Sequence, residues 1–324
     1  MSGEQLLIVL STAIAAATPL VFAVLGETLS ERAGVINLSA EGTIMFCAMA
    51  GFAVALASGS VVVGFVIAAL IGALAALVVG FCAITLRQSQ IAVGFVLALL
   101  LSDLASFLGV PIVRVPGPTV PPLSLPLLSD VPLLGPLLFR KDALVYLSYV
   151  AIALTWLYLY RTRPGLTLRA IGEQPNAAFA RGADVVRLRY LYVILGGALM
   201  GIAGAAFSLD FKAGWSHRHT GGYGWIALAI VIFGGWNPLR AALGAYLFGI
   251  LQSLASVAQD QFQNVPTQVL TVAPFVLMIV LLVLTSAGWL DRLASYFPPA
   301  TRRRLLQMLR TSPPAALGKP FEQD

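Results

Sequence analysis

Apolar residues run along this chain in blocks about twenty residues long, separated by short breaks rich in glycine, proline and arginine. Wound as α-helix, such a block matches the hydrocarbon thickness of a bilayer. The run from Val61 to Leu86 is continuous rather than alternating, which excludes a β-barrel. Spans are predicted near 5–25, 39–58, 61–85, 91–109, 143–160, 191–210, 225–236, 238–258 and 268–288. The seventh is too short to cross unaided. Gly234, Gly235, Trp236, Asn237 and Pro238 end it, so it reads as a discontinuous or re-entrant element. The pattern specifies an all-α, polytopic integral membrane protein with about nine transmembrane or re-entrant helices.

Composition agrees: of 324 residues, 59% are apolar and only 10% charged, with a mean hydropathy of +0.89. A soluble domain carries roughly 25% charge. The first residues, MSGEQLLIVL, lack the basic start and cleavage site of a signal peptide, so the first apolar run is expected in the mature protein. Cys47 and Cys82 lie in apolar runs without a second thiol or histidine at ligand spacing, and read as buried hydrophobes.

The net charge of +6 is informative through its placement, which signals topology rather than nucleic-acid binding. With nine crossings and an outside N-terminus, cytoplasmic segments receive Arg32, Arg87, the arginines from Arg161 to Arg189, Arg240 and the basic tail. Only Arg114, Arg140, Lys141, Lys212 and Arg218 remain outside, so the positive-inside rule predicts N-terminus out and C-terminus in. A single transmembrane domain is expected over 1–290, with a cytoplasmic loop at 161–190, an outer proline-rich segment at 111–142 and a basic cytoplasmic tail at 291–324. The proline-rich segment reads as an ordered outer cap or as a connector along the headgroups.

A carboxylate within a span costs roughly 2.5–3.5 kcal/mol on insertion scales and marks a functional candidate. Asp103, with Ser106 and Phe107 at i+3 and i+4, forms one helical face that suits a polar path with an aromatic to stack on. The other reading is a structural carboxylate bonded to a neighbouring helix. Between the first two spans, LGETLSERAGVINLSAEGTIMF places Glu27, Glu31 and Glu41 around Gly34, Asn37, Ser39 and Gly42. A helix broken here borders a transport path, since broken backbone at membrane depth must line a cavity or be buried in protein. The alternative is a plain cytoplasmic turn in which Arg32 pairs with Glu27 or Glu31.

Small residues at helix-packing spacing are Ala68, Gly72 and Ala76, then Gly197, Gly201 and Ala205, then Ala245 and Gly249. The segment WSHRHTGGYG reads as an outside loop meeting headgroups or a partner. Its His217 and His219 lack further ligands, so no metal site is expected.

The loop RTRPGLTLRAIGEQPNAAFARGADVVRLRY is long for a membrane face and carries six arginines and two acids. Pro175 suits a first helical turn, and NAAFARGADVV is predicted as a short helix in which Ala177, Ala178 and Gly182 give a smooth docking surface, with Arg181 beside it.

At Asn176, Ala177, Ala178 and Gly182 the chain resembles the permease subunits of bacterial ABC importers, whose cytoplasmic coupling helix carries Glu-Ala-Ala, three residues, then Gly. Asparagine stands here for the glutamate. The segments GETLSERAGVINLSAEGTIMF, GEQPNAAFARGADV and GYGWIALAIVIFGGWNPLRAALGAYLFG resemble the simple-sugar and nucleoside permeases of the ribose and branched-chain amino acid type, the nucleoside subgroup above all. The resemblance runs from about Thr18 to Leu284, although Gly235 occupies the place where an arginine is expected before Trp236.

The resemblance implies a permease subunit of an ATP-driven importer in the bacterial inner membrane, carrying a nucleoside, with purine nucleosides favoured, or a simple sugar. It implies a separate ATPase subunit, an extracytoplasmic substrate-binding protein and a second, different permease, with lipid around them. On this reading Pro175, Asn176, Ala177, Ala178, Arg181 and Gly182 couple to the ATPase, while Asp103, Ser106, Phe107, Asn37, Ser39 and Glu41 border the path. The chain has no glycine-rich phosphate loop, its only Gly-Lys pair being Gly318 and Lys319. ATP and Mg are therefore expected on the partner, with no cofactor on this chain and no enzymatic activity of its own. An ion-gradient carrier using Asp103 and Glu41 is the competing class. An intramembrane enzyme lacks both a His-Glu-x-x-His motif and a nucleophile with a base.

Overall fold

A computed structural model describes residues 3–124, 135–261 and 312–322, with isolated positions between 269 and 280. Of the predicted span at 268–288 only isolated positions fall within the described residues. The long helices are α1 (Gly3–Arg32), α2 (Ala40–Ser58), α3 (Val61–Gly80, continued by a π-turn at Phe81–Thr85), α4 (Gln90–Leu108), α5 (Ala143–Arg161), α8 (Val185–Ala206, continued by a π-turn at Phe207–Phe211) and α10 (Pro238–Gln261). These seven are long and apolar enough to cross a membrane. Shorter helices are α6 (Arg163–Glu173), α7 (Pro175–Ala180) and α9 (Tyr223–Gly234).

Polar residues placed just ahead of apolar runs start these helices. The Ser60, Ser89, Asp142, Thr162 and Asp184 side chains accept from the amides of Val63, Ala92, Val145, Gly165 and Arg187, capping α3, α4, α5, α6 and α8. At the other end of α2, Gly59 takes a left-handed φ of 68°. Within the proline-rich segment, β1 (Pro122–Ser124) pairs antiparallel with β2 (Arg140–Asp142). The segment is tied to the bundle by amides of Arg114 and Val120 donating to Trp215 O and Leu209 O.

Backbone contact at small residues sets the packing. A Cβ added at Gly72 of α3 would lie 2.2 Å from Gly197 O of α8, and one at Gly201 would lie 2.1 Å from Ala68 O. Likewise a Cβ at Gly249 of α10 would lie 2.4 Å from Ala13 O of α1. These are the predicted small-residue faces, and they bring helix axes together where no hydrophobic effect drives association. The core gathers α1, α2, α8 and α9 around Phe22, Phe52, Phe207 and Phe248, while α3, α4 and α5 leave much of their surface uncovered.

Two boundaries depart from the sequence expectation. The first helix runs to Arg32 rather than residue 25, because the polar residues Glu27, Thr28, Ser30 and Glu31 are buried in the bundle instead of ending it. The sixth span starts at Val185 rather than 191, because Asp184 caps it. Arg187 and Arg189 are thus helical, and Arg189 is fully buried. Within the WSHRHTGGYG segment Trp215, His219, Thr220 and Tyr223 are buried, because the chain turns back into the bundle there, while His217 and Arg218 stay exposed.

Replacing Gly72 by valine forces the α3–α8 backbones apart. Overpacking of this kind costs about 1–3 kcal/mol, so the variant is expected to melt several degrees lower in detergent, read by the thermal unfolding midpoint.

Candidate functional site

The site grows from two interruptions of helix inside the bundle. After Arg32 the chain leaves α1 and doubles back, so that the Asn37 amide donates to Glu27 Oε1 at 3.2 Å, more than a turn above the end of α1. The Ile36 amide donates to Gln90 Oε1 at 2.8 Å, and Gly34, with a φ of +91°, makes the turn. Asn37 Oδ1 accepts from the Ser39 amide at 3.2 Å and the Ser39 hydroxyl at 2.6 Å, and that hydroxyl lies 3.0 Å from Thr43 Oγ1. Asn37 Nδ2 meets Met200 Sδ at 3.5 Å. Glu27, Asn37, Ser39 and Thr43 are completely buried, so α2 begins inside the protein on a polar cluster.

The second interruption faces the first. Past α8, residues 212–222 return into the bundle and α9 starts beside the beginning of α2. The Glu41 carboxylate accepts from Thr220 Oγ1 at 2.9 Å, the Gly222 amide at 3.1 Å and the Gly224 amide at 2.7 Å. A carboxylate on free amides at a helix N-terminus is favoured by both hydrogen bonding and the helix dipole. Twelve residues carry α9 about 18 Å to the level of Arg32. There the Trp236 indole N–H donates to Glu31, and Arg32 donates from Nε to Trp236 O at 2.9 Å and from Nη2 to Gly235 O at 3.3 Å. Gly235 has a φ of 62°. Glycine therefore suits the position where the resemblance led us to expect arginine.

At this end of the bundle α6 and α7 form a bracket between α5 and α8. Neither Glu27 nor Glu31 pairs with Arg32; its Nη1 reaches Glu173 Oε1, at the end of α6, at 3.8 Å. The helix predicted over NAAFARGADVV is shorter than expected, because Gly182 turns the chain at φ +86°. On α7, Ala178 points inward and is buried with Leu168, Ile171 and Val185, whereas Asn176, Ala177, Phe179 and Ala180 are exposed, as are Arg181 and Gly182 beyond it. The tail residues 312–322 cross the same end: the Ala316 and Gly318 amides donate to Gly172 O at 2.9 Å and Gly34 O at 3.0 Å, and Arg189 Nη1 donates to Lys319 O at 3.0 Å. Phe321 packs 5.8 Å from Phe179.

The predicted path residues fall into two separate groups. Asn37 and Ser39 share one cluster, and Glu41 opens the same helix, one turn further on. On α4, Asp103 is exposed, Phe107 is 74% exposed, and the Ser106 hydroxyl donates back to Ser102 O at 3.0 Å. That face looks away from the chain's own core. Sequence reasoning missed α6 although Thr162 and Pro164 mark its start, and it missed Gln90 and Thr220, ordinary polar residues whose partners are distant in sequence. Among the described residues no group of three or more His, Cys, Asp or Glu is placed to hold a metal.

The sequence pattern of the family described as branched-chain amino acid transport system / permease component matches residues 9–284. TsgC13 of Haloferax volcanii, named for glucose ABC transport, is 40% identical over 78% of each chain. The nucleoside ABC transporter permease NupC of Lactococcus lactis is 33% identical, covering 87% of this chain and 93% of its own. The guanosine ABC transporter permease NupQ of Bacillus subtilis is 31% identical, covering 86% and 92%. No solved structure matches.

Glu41→Ala leaves two amides and a hydroxyl without their part-buried acceptor, a loss of at most about 1–3 kcal/mol for each unmet group. Glu41→Gln keeps the shape and one acceptor oxygen, but loses the charge assistance. Thermal unfolding midpoints in detergent are expected in the order wild type, Glu41→Gln, Glu41→Ala.

Proposed function

Since the chain belongs to the branched-chain amino acid transport system permease family, we propose that it forms the membrane path for a nucleoside, purine nucleosides above all, and takes its drive through α6–α7. That it is an ABC transporter permease subunit, a multi-pass protein of the plasma membrane and a transport component rather than an enzyme follows from the family and its relatives. Such a subunit works with an ATPase and a substrate-binding protein. The competing ion-gradient carrier loses its support with the family match.

The observation that carries the proposal is the bracket of α6 and α7. It stands at the end of the bundle where Arg32, Arg87, Arg161, Arg163, Arg169, Arg181, Arg187, Arg189 and Arg240 gather. That gathering supports placing this end in the cytoplasm, with the N-terminus outside. The exposed residues Asn176, Ala177, Phe179 and Ala180 give a partner ATPase a small, low-relief surface, anchored from beneath by Ala178. ATP and Mg belong to that partner.

Nucleoside cargo is supported by the names of NupC and NupQ, and glucose, named for TsgC13, is the competing cargo. A second, different permease is supported by α4, which leaves Asp103 and Phe107 uncovered where a neighbouring chain would complete a polar path.

The test is uptake of labelled inosine by cells expressing the chain with its ATPase, binding protein and a sister permease. Uptake is expected to require the ATPase and to be competed by guanosine but not by ribose or glucose; uptake without the ATPase would overturn the reading. Ala177→Trp, on the exposed side of α7, is expected to lower uptake at least about tenfold, equivalent to about 1.4 kcal/mol, without lowering the unfolding midpoint. Ala178→Trp is expected to lower both.

A further inference from the structure

Arg32 holds together three parts of the bundle that are remote in sequence. Its Nε and Nη2 bond the carbonyls of Trp236 and Gly235, just past the C-terminus of α9, and its Nη1 lies 3.8 Å from the Glu173 carboxylate at the end of α6. The side chain is 13% exposed. A cation at a helix C-terminus meets the negative end of the dipole, and only a planar guanidinium offers donors in several fixed directions at once. Lysine, a single point of charge, supplies the charge without the fork.

Two further contacts make the junction stiff. A Cβ at Gly172 would lie 2.1 Å from Arg32 O, so the last turn of α6 rests directly on the peptide of Arg32. Trp236, whose carbonyl Arg32 holds, is gripped from its other side by Glu31 through the indole N–H. Only Gln174 separates α6 from α7. At its far end α9 is fastened to Glu41, the residue that opens α2 beside Asn37 and Ser39.

We propose that Arg32 is a positioning residue that makes α9 move with α6–α7, passing displacement of the coupling bracket along the half-helix to the start of α2. The proposal rests on the reading of α6–α7 as the ATPase-coupling element. A charge serving membrane topology alone would tolerate lysine without effect, whereas a three-way fork would not.

The test uses the full complex in proteoliposomes, with Cys47 and Cys82 replaced by serine. Spin labels are placed on Arg181→Cys or Ile232→Cys, each paired with Leu74→Cys on α3, and distances are compared before and after ATP trapping. In the wild-type background both distances are expected to shift. In Arg32→Gln the Arg181 label shifts while the Ile232 label stays, and uptake per ATP hydrolysed falls at least about fivefold, with Arg32→Lys between the two. Glu173→Gln, a change at a half-exposed side chain, removes one arm of the fork and gives a weaker form of the same separation if Arg32→Gln fails to assemble. An Ile232 label that still shifts with undiminished uptake per ATP in these variants overturns the role of Arg32. An Arg181 label that does not shift in the wild-type background overturns the coupling reading itself.

Discussion

Every backbone amide at membrane depth must find an acceptor inside the protein, because hydrocarbon offers none. This chain breaks helix twice within the bundle, and the two breaks meet that demand differently. Between α1 and α2 the amides of Ile36, Asn37 and Ser39 go to Gln90, Glu27 and Asn37, side chains contributed by three helical or near-helical segments. Before α9 the amides of Gly222 and Gly224 go to one carboxylate, Glu41. Glu27 and Glu41, which look anomalous in an apolar sequence, are thus acceptors for backbone that would otherwise be orphaned. Their desolvation is offset by bonds that water would make elsewhere.

The same constraint divides the molecule mechanically. α3 and α8 meet almost backbone to backbone at Gly72, Gly197 and Gly201, a contact with few side-chain atoms to rearrange. α9 is different. Its two ends are held by polar side chains from α1 and α2, bonds that can re-form with water or with each other when the surroundings open.

Much of this was legible from residue order. Spans came from the length of apolar runs, the helix-packing faces from Gly and Ala at four-residue spacing, and the shortened seventh element from the Gly-Gly-Trp-Asn-Pro cluster. Helix ends at 39–58, 61–85, 91–109 and 143–160 were legible to within a residue, because polar or glycine residues bound those runs. The end of α1 was misplaced because Glu27 and Glu31 read as loop residues, yet Asn37 and Trp236, ten and 205 residues away, supply their partners. The burial of Trp215 and His219 was hidden for the same reason: a re-entrant loop and a headgroup loop share a composition and differ only in what surrounds them. On α7, a helical period assigns one of two neighbouring alanines to the core, and which one depends on where α6 sets the bracket.

Asp103 poses the remaining physical question of the candidate path. It stands uncovered on α4, a helix otherwise apolar, where contact with lipid costs roughly 2.5–3.5 kcal/mol on insertion scales, and Phe107 extends the same face. In the polar cluster at Asn37, Ser39 and Thr43 each side chain is bonded to a neighbour and completely buried. A path confined to this single chain would have to unmake that cluster. A path along α4 instead needs a second surface to shelter Asp103 from lipid and to turn its carboxylate toward water, which is the place the proposed sister permease would take.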